Sequence, residues 1–185
     1  MDGVAELTRD LGVWASRTYV VLGVAYVAVI VGGFASNRNL KDPLKDPHLA
    51  IAEVLILVMA PVLLALSVAI HHSAAPDDRP YTLISVGWMV AAVTTTSVVH
   101  FLELTVGRRL SPEDLPAHDA VFGFRWPSIL YATDIVAWDV FFAFALLFAA
   151  PALDGGSPEQ IGFVASGLLS LVGLVGPAVG RISWR

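Results

Sequence analysis

Residues 48–71 read HLAIAEVLILVMAPVLLALSVAIH, and the fold follows from what that stretch lacks. Glu53 is its single formally charged side chain, and no glycine or asparagine marks a turn inside it. A helix built from it is apolar on every side, which suits lipid or a fully buried position rather than a water-facing one. At 1.5 Å per residue it extends about 36 Å, more than the roughly 30 Å hydrocarbon core of a bilayer. Inside that core every backbone N–H and C=O has to be paired within the segment, which a helix achieves. The stretch therefore reads as a transmembrane helix. Pro61 interrupts its ladder and frees the carbonyl of Leu57, so a kink there could open a cavity wall.

Working outward, four more runs have the same character: 13–35, 81–106, 126–150 and 158–180. The 185 residues are 56% hydrophobic and 15% charged, with a mean hydropathy of +0.72, whereas soluble domains carry about 25% charged residues. The expectation is an all-α polytopic integral membrane protein. It is one domain, 1–185, a bundle of about five transmembrane helices in the cell membrane. A net charge of −5 without a basic patch argues against nucleic acid. The chain has no cysteine, which excludes disulfides, Cys-ligated zinc and iron–sulfur clusters. The start, Met1-Asp2-Gly3-Val4-Ala5-Glu6, lacks a basic segment, and the first run is long for a cleaved signal, so it is read as a retained helix.

The junctions support these boundaries. Pro47, Pro80, Pro127 and Pro158 stand where helices should begin, and proline suits a first turn because its missing N–H would be unpaired there anyway. Ser157-Pro158-Glu159-Gln160 has the form of a capping box. The long loop 107–125 contains a further start, Ser111-Pro112-Glu113-Asp114, ahead of a short interfacial helix carrying Leu115, Val121 and Phe122. Basic residues set the orientation. Arg38, Lys41, Lys45, Arg108, Arg109, Arg125, Arg181 and Arg185 fall on one side, Arg9, Arg17 and Arg79 on the other. The positive-inside rule puts the first side in the cytoplasm, so the N-terminus is expected outside and the C-terminus inside.

Small residues mark helix packing. One stripe of the first helix holds Gly12, Ser16, Tyr19, Gly23, Tyr26 and Gly33; one stripe of the last holds Gly162, Ser166, Ser170, Gly173, Pro177 and Gly180. Such faces let membrane helices approach closely, within the bundle or in a homo-oligomer.

A charge at the bilayer centre costs roughly 2.5–3.5 kcal/mol on insertion scales, so intramembrane ionisable groups are functional candidates. Here they are Glu53, His100, Glu103, Asp134 and Asp139. In the expected topology Glu53, His100, Glu103 and Asp134 lie at similar depth in the cytoplasmic half, on three helices. Thr96, His100 and Glu103 are spaced i, i+4, i+7 and share one face. Tyr131, Asp134 and Trp138 share a face of the fourth helix; Asp139, five residues from Asp134, points about 140° away and toward a different neighbour. Each group also has a structural use. Glu53 and Glu103 could pair with Arg108 or Arg125, His100 could bond across helices, and the aspartates could bond Tyr26 or Ser166. His71 and His72 are expected among headgroups.

The combination suits acid–base chemistry. A carboxyl in low dielectric can donate a proton, a neighbouring imidazole can take one, and Trp and Tyr faces can stabilise a cation. Asp134, His100, Glu103 and Glu53 are the expected catalytic groups; Trp138, Tyr131, Thr96 and Asp139 are the expected substrate-binding ones. The substrate class is lipophilic, isoprenoid or sterol-like, undergoing isomerisation, cyclisation or hydration, and membrane lipids are the other expected partners. In intramembrane carboxylates, His and Trp the chain resembles the emopamil-binding-protein group of sterol isomerases, although no stretch of sequence matches. Trp126-Pro127-Ser128-Ile129-Leu130-Tyr131 with Ala137-Trp138 is similar in character to the five-helix translocator-protein family, at a different spacing and in the fourth helix instead of the second. A proton- or ion-linked transporter or channel acting as an oligomer is the alternative, since acidic and His chains mark such pathways. An accessory or signalling subunit is a third. No cofactor and no metal is expected: His100-x-x-Glu103 is a single, reversed copy of the paired motif that di-iron bundles require.

Overall fold

The structure, a computed structural model, describes residues 2–37, 39, 43–110, 113–123 and 126–179. Arg38, Lys41, Arg125, Arg181 and Arg185, used above for orientation, lie outside the described residues, as do Ser111, Pro112 and Gly180. Every regular element among the described residues is helical. Five segments are long and apolar enough to cross a membrane: Glu6–Ser36, His48–Ser73, Arg79–Arg109, Ile129–Ala152 and Pro158–Ala178.

The elements run α1 (Asp2–Ser36), α2 (His48–Ser73), α3 (Arg79–Thr105), α4 (Leu115–Phe122), α5 (Ile129–Ile135), a π-helical stretch Val136–Phe142, α6 (Ala143–Ala149), α7 (Pro158–Gly173) and α8 (Val175–Ala178). Short 3-10 turns follow α3 at Gly107–Arg109 and α6 at Ala150–Ala152. α1 begins well before residue 13. The fourth apolar run is one span with three geometries, α5, π and α6.

Consecutive spans pack side by side in alternating directions: α1 on α2, α2 on α3, α3 on α5–α6, and α6 on α7. Gly12 near the start of α1 meets Ala69 near the end of α2, while Gly33 near the end of α1 lies against Leu44 and His48. At the other side of the bundle Gly167 admits Leu147 and the carbonyl of Ala143. α2 and α3 are central, and the core gathers Ala60, Leu63, Met89, Ala92, Val93 and Ala145, with Trp88 and Trp138 packed against it. Ser85 on α3 donates to the Ala145 carbonyl at 2.6 Å, a direct polar tie between α3 and α6. α1 and α7 flank the bundle, each with one side covered and a wide apolar face open: Val20, Val24 and Val31 on α1, Leu168, Leu169 and Val172 on α7.

Two of the four junction prolines depart from the expected position. Pro80 and Pro158 do stand in first turns. Pro47 caps α2 from outside it, and Pro127 precedes Ser128, the N-cap of α5, so the fourth span starts at Ile129 rather than at residue 126. The last span is broken, with α7 ending at Gly173 and α8 beginning at Val175. α2 runs unbroken through Pro61, whose ring lies on the exposed side. The small-residue stripe of α7 packs only in part: Gly162 meets open space and Ser166 is exposed, whereas Gly173 of the stripe lies against Asp139 and Gly167, outside it, is the close-approach glycine against Leu147.

Ser157 behaves as the capping-box pattern predicts. Its Oγ accepts from Gln160 N at 3.1 Å. The Gln160 side chain reaches back to Gly156 N at 2.8 Å and donates to the Ala150 carbonyl at 3.2 Å, closing the α6–α7 connection. The short helix of the long loop is present as α4, with Val121 exposed and Phe122 half-buried; the Leu115 side chain lies outside the described set.

Candidate functional site

Glu53 stands five residues into α2, His100 five before the end of α3, and Asp134 five into α5. Alternating helix directions put these three points at the same end of the bundle. α3 lies between α2 and α5, and it presents the face carrying Thr96, His100 and Glu103 inward; all three are buried.

His100 is the hub. Its Nδ1 donates to Glu53 Oε2 at 2.6 Å, a length typical of a strong, charge-assisted bond. Its Nε2 stands 3.5 Å from Asp134 Oδ1, an ion-pair distance longer than a good hydrogen bond. Glu53 and His100 are each 4% exposed. The imidazole thus lies between two carboxylates from two other helices, short on one side and long on the other. An imidazole held this way can release a proton at one nitrogen while taking one at the other.

Glu103, one turn further along α3, is 7% exposed. Its Oε2 has no hydrogen-bond partner among the described residues. The carboxylate occupies the space a side chain on Gly107 would need, so the glycine of the following turn is what accommodates it. It lies within electrostatic reach of Glu53 and His100. Beyond it, Arg108 Nη1 donates to Asp46 Oδ1 at 3.3 Å, tying the end of α3 to the loop before α2. Neither Glu53 nor Glu103 pairs with Arg108 in the way the sequence allowed.

Ser128 positions Asp134. It is buried, donates its hydroxyl to the Gly123 carbonyl and accepts from Tyr131 N at 3.1 Å. The first turn of α5 is thereby anchored to the end of α4, with Asp134 one turn beyond Leu130. Trp138, on the π-helical stretch, sits edge-on to Phe142 with ring centroids 5.2 Å apart. Tyr131 is half-buried beside the cap.

Thr96 and Trp138 line the same gap, an apolar one of about 10 Å³ also bordered by Ala60, Met89, Val93 and Phe142. That is room for about one water-sized body. Thr96 Oγ1 is its polar point and has no hydrogen-bond partner among the described residues. A larger cavity of about 180 Å³ lies next along the bundle and shares Leu63, Met89 and Phe142 with it; Tyr19, Ser67 and Ser85 contribute its polar rim.

Asp139 has a different neighbour from Asp134, on a π-helical stretch rather than the α-helix that the phase of about 140° assumed. Its carboxylate packs on α7, with Oδ2 2.8 Å from where a Cβ on Gly173 would sit. Tyr26 on α1 was read above chiefly as part of a packing stripe. It lies within electrostatic reach of both Glu53 and Asp134, and the sequence had offered it as a hydrogen-bond partner for the aspartates. His71, at the opposite end, is half-buried and shares a hydrogen bond of 2.8 Å with the buried Thr82 hydroxyl, while His72 is exposed.

Among the described residues no group of three or more His, Asp or Glu converges in the manner of a metal site. The oxygens and ring nitrogens of the triad face one another pairwise.

No protein-family model, curated protein or solved structure matches the chain. The stretch 126–131, which carried the likeness to the translocator-protein family, spans the turn before α5 and that helix's first residues.

Proposed function

We propose that this chain is an integral protein of the cell membrane in which Glu53, His100 and Asp134 form a proton-transfer site, and that it moves protons, alone or linked to another solute. The observation that carries this reading is the imidazole bridging two carboxylates from separate helices, in surroundings closed to bulk solvent. Ionisable groups at such positions are costly and typically mark proton relays. A proton reaching Asp134 passes to His100 Nε2 as the Nδ1 proton passes to Glu53. Once Glu53 has released its proton, rotation of the ring resets it. With the basic-rich end in the cytoplasm, the site lies in the cytoplasmic half of the membrane.

The packing around the triad favours a proton over a bulky substrate, because Glu53 and His100 are each 4% exposed and both the 10 Å³ gap and the 180 Å³ cavity are lined by other residues. Acid–base chemistry on a lipophilic molecule is the second reading. The neighbouring 180 Å³ cavity supports it as space for a slender apolar molecule, with Tyr19, Ser67 and Ser85 as its polar rim.

The test is proton uptake by liposomes carrying the purified protein and an internal pH-sensitive dye, driven by a potassium diffusion potential. Wild type is expected to acidify the lumen faster than protein-free liposomes, and Asp134→Asn to slow it by at least about tenfold, at the low end of what a positioned acid or base contributes. Wild-type rates equal to those of protein-free liposomes overturn the reading. A defined apolar molecule retained by wild type in native mass spectrometry, and lost from Asp134→Asn, would favour the second one instead.

A further inference from the structure

Two ionisable groups of the same region lie outside the triad, Glu103 toward the end of the bundle and Asp139 toward its middle. Asp139 stands ten residues past Ile129 in a span of 24. At 1.5 Å per residue that is about 15 Å in, half the thickness of a hydrocarbon core.

In an α-helix the five-residue step from Asp134 turns about 140° past a full revolution. The π-helical stretch has a wider turn, closed i to i+5, and brings that step nearer to a full revolution. Asp134 and Asp139 consequently lie within electrostatic reach of each other. The groups form a row, Glu103, Glu53, His100, Asp134, Asp139, running from the end of α3 to mid-bundle. Asp139 itself has no hydrogen-bond or ion-pair partner among the described residues. What covers it is the backbone of α7 at Gly173. α7 is a peripheral helix, packed on the π stretch, α6 and the turn after it. Its helix ends at Gly173, the residue that touches the carboxylate, and turns at Leu174.

We propose that Asp139 is the deep terminus of the proton path, a second proton-binding carboxyl that exchanges with Asp134 on one side and is covered or opened to the bilayer side by α7. The inference rests on the proton-transfer reading and adds to it the group through which the proton reaches Asp134 from the bilayer side. The glycine at 173 lets α7 seat on the carboxylate, and the break after it lets the cover shift without dragging the rest of the span.

A lipophilic carbodiimide tests this, since it reaches carboxyls from the bilayer and reacts with the protonated form. Wild-type protein in liposomes is treated with dicyclohexylcarbodiimide, the modified residue is mapped by mass spectrometry, and proton uptake is followed in parallel. The expected result is modification at Asp139 and uptake lowered by at least about tenfold, with the same loss in Asp139→Asn and recovery in Asp139→Glu. Modification at Asp139 without loss of uptake, no modification there, or wild-type uptake in Asp139→Asn each overturns this inference alone. The labelling of wild type decides even if Asp139→Asn fails to fold. Wild-type protein without proton uptake overturns the proton-transfer reading and this one together.

Discussion

His100 bonds a carboxylate across the α2–α3 interface and faces another across the α3–α5 interface, so one side chain links the beginnings and ends of three helices. Glu103, seven residues and about two helical turns past Thr96 on the same face, has no such partner for its Oε2. The two buried glutamates should therefore respond oppositely to truncation. Glu53→Ala leaves a buried imidazole nitrogen without its short bond and is expected to lower unfolding free energy by about 3 kcal/mol, the scale for breaking one side of a buried pair. Glu103→Ala removes a poorly satisfied buried carboxyl and is expected to cost less than about 1 kcal/mol, or to stabilise. Chemical unfolding in mild detergent, followed by tryptophan fluorescence, measures both; equal losses would show that the pairing seen for Glu53 contributes nothing of its own.

The fourth span shows how an element can set a site. Ser128 holds its first turn, α5 delivers Asp134 to His100, and the π-helical stretch then carries Trp138 toward α3 and Asp139 toward α7. Ser128→Ala removes an N-cap acceptor and a donor to Gly123, and Ser157→Ala removes the corresponding acceptor of α7. Each is expected to destabilise by about 1 kcal/mol. Their effects on proton uptake should differ. Ser128→Ala is expected to lower it because Asp134 rides on the loosened turn, whereas Ser157→Ala, at the other end of the bundle, should leave it at the wild-type rate. Loss of uptake in both would mean that general stability, rather than the seating of α5, controls the site.

At the scale of the molecule, five sequential spans alternate in direction, so the connections fall into two sets at opposite ends. Lys45 and Asp119 belong to one end, Asp77 and Gly155 to the other. The chain has no cysteine, which makes it a clean background for single introduced thiols. In the proposed orientation, which puts the basic-rich end in the cytoplasm, Asp77→Cys and Gly155→Cys are expected to react with a membrane-impermeant maleimide added to intact cells. Lys45→Cys and Asp119→Cys should react only after the membrane is opened. The reverse pattern would invert the topology and put the triad in the outer half; labelling of all four in intact cells would rule out a membrane-spanning bundle.

The spans were legible from 48–71 outward because a lipid-facing helix must be long and apolar on every side, a property of composition that needs no partner. The shared face of Thr96, His100 and Glu103 was legible too, since helical periodicity alone puts i, i+4 and i+7 together. Which faces meet was decided only in the tertiary structure. Nothing local distinguishes Gly167, which packs, from Gly162, which does not, because the difference lies in the Leu147 side chain opposite. Neither the seating of Asp139 on Gly173, nor the π-helical stretch that turns it, nor the nearness of Tyr26 to Glu53 and Asp134 follows from spacing along one helix. The sequence by itself determined which ionisable groups fall within the long apolar helices; the packing of neighbouring helices decided which of them can reach one another, because contact between side chains on separate helices depends on the rotation and separation of both.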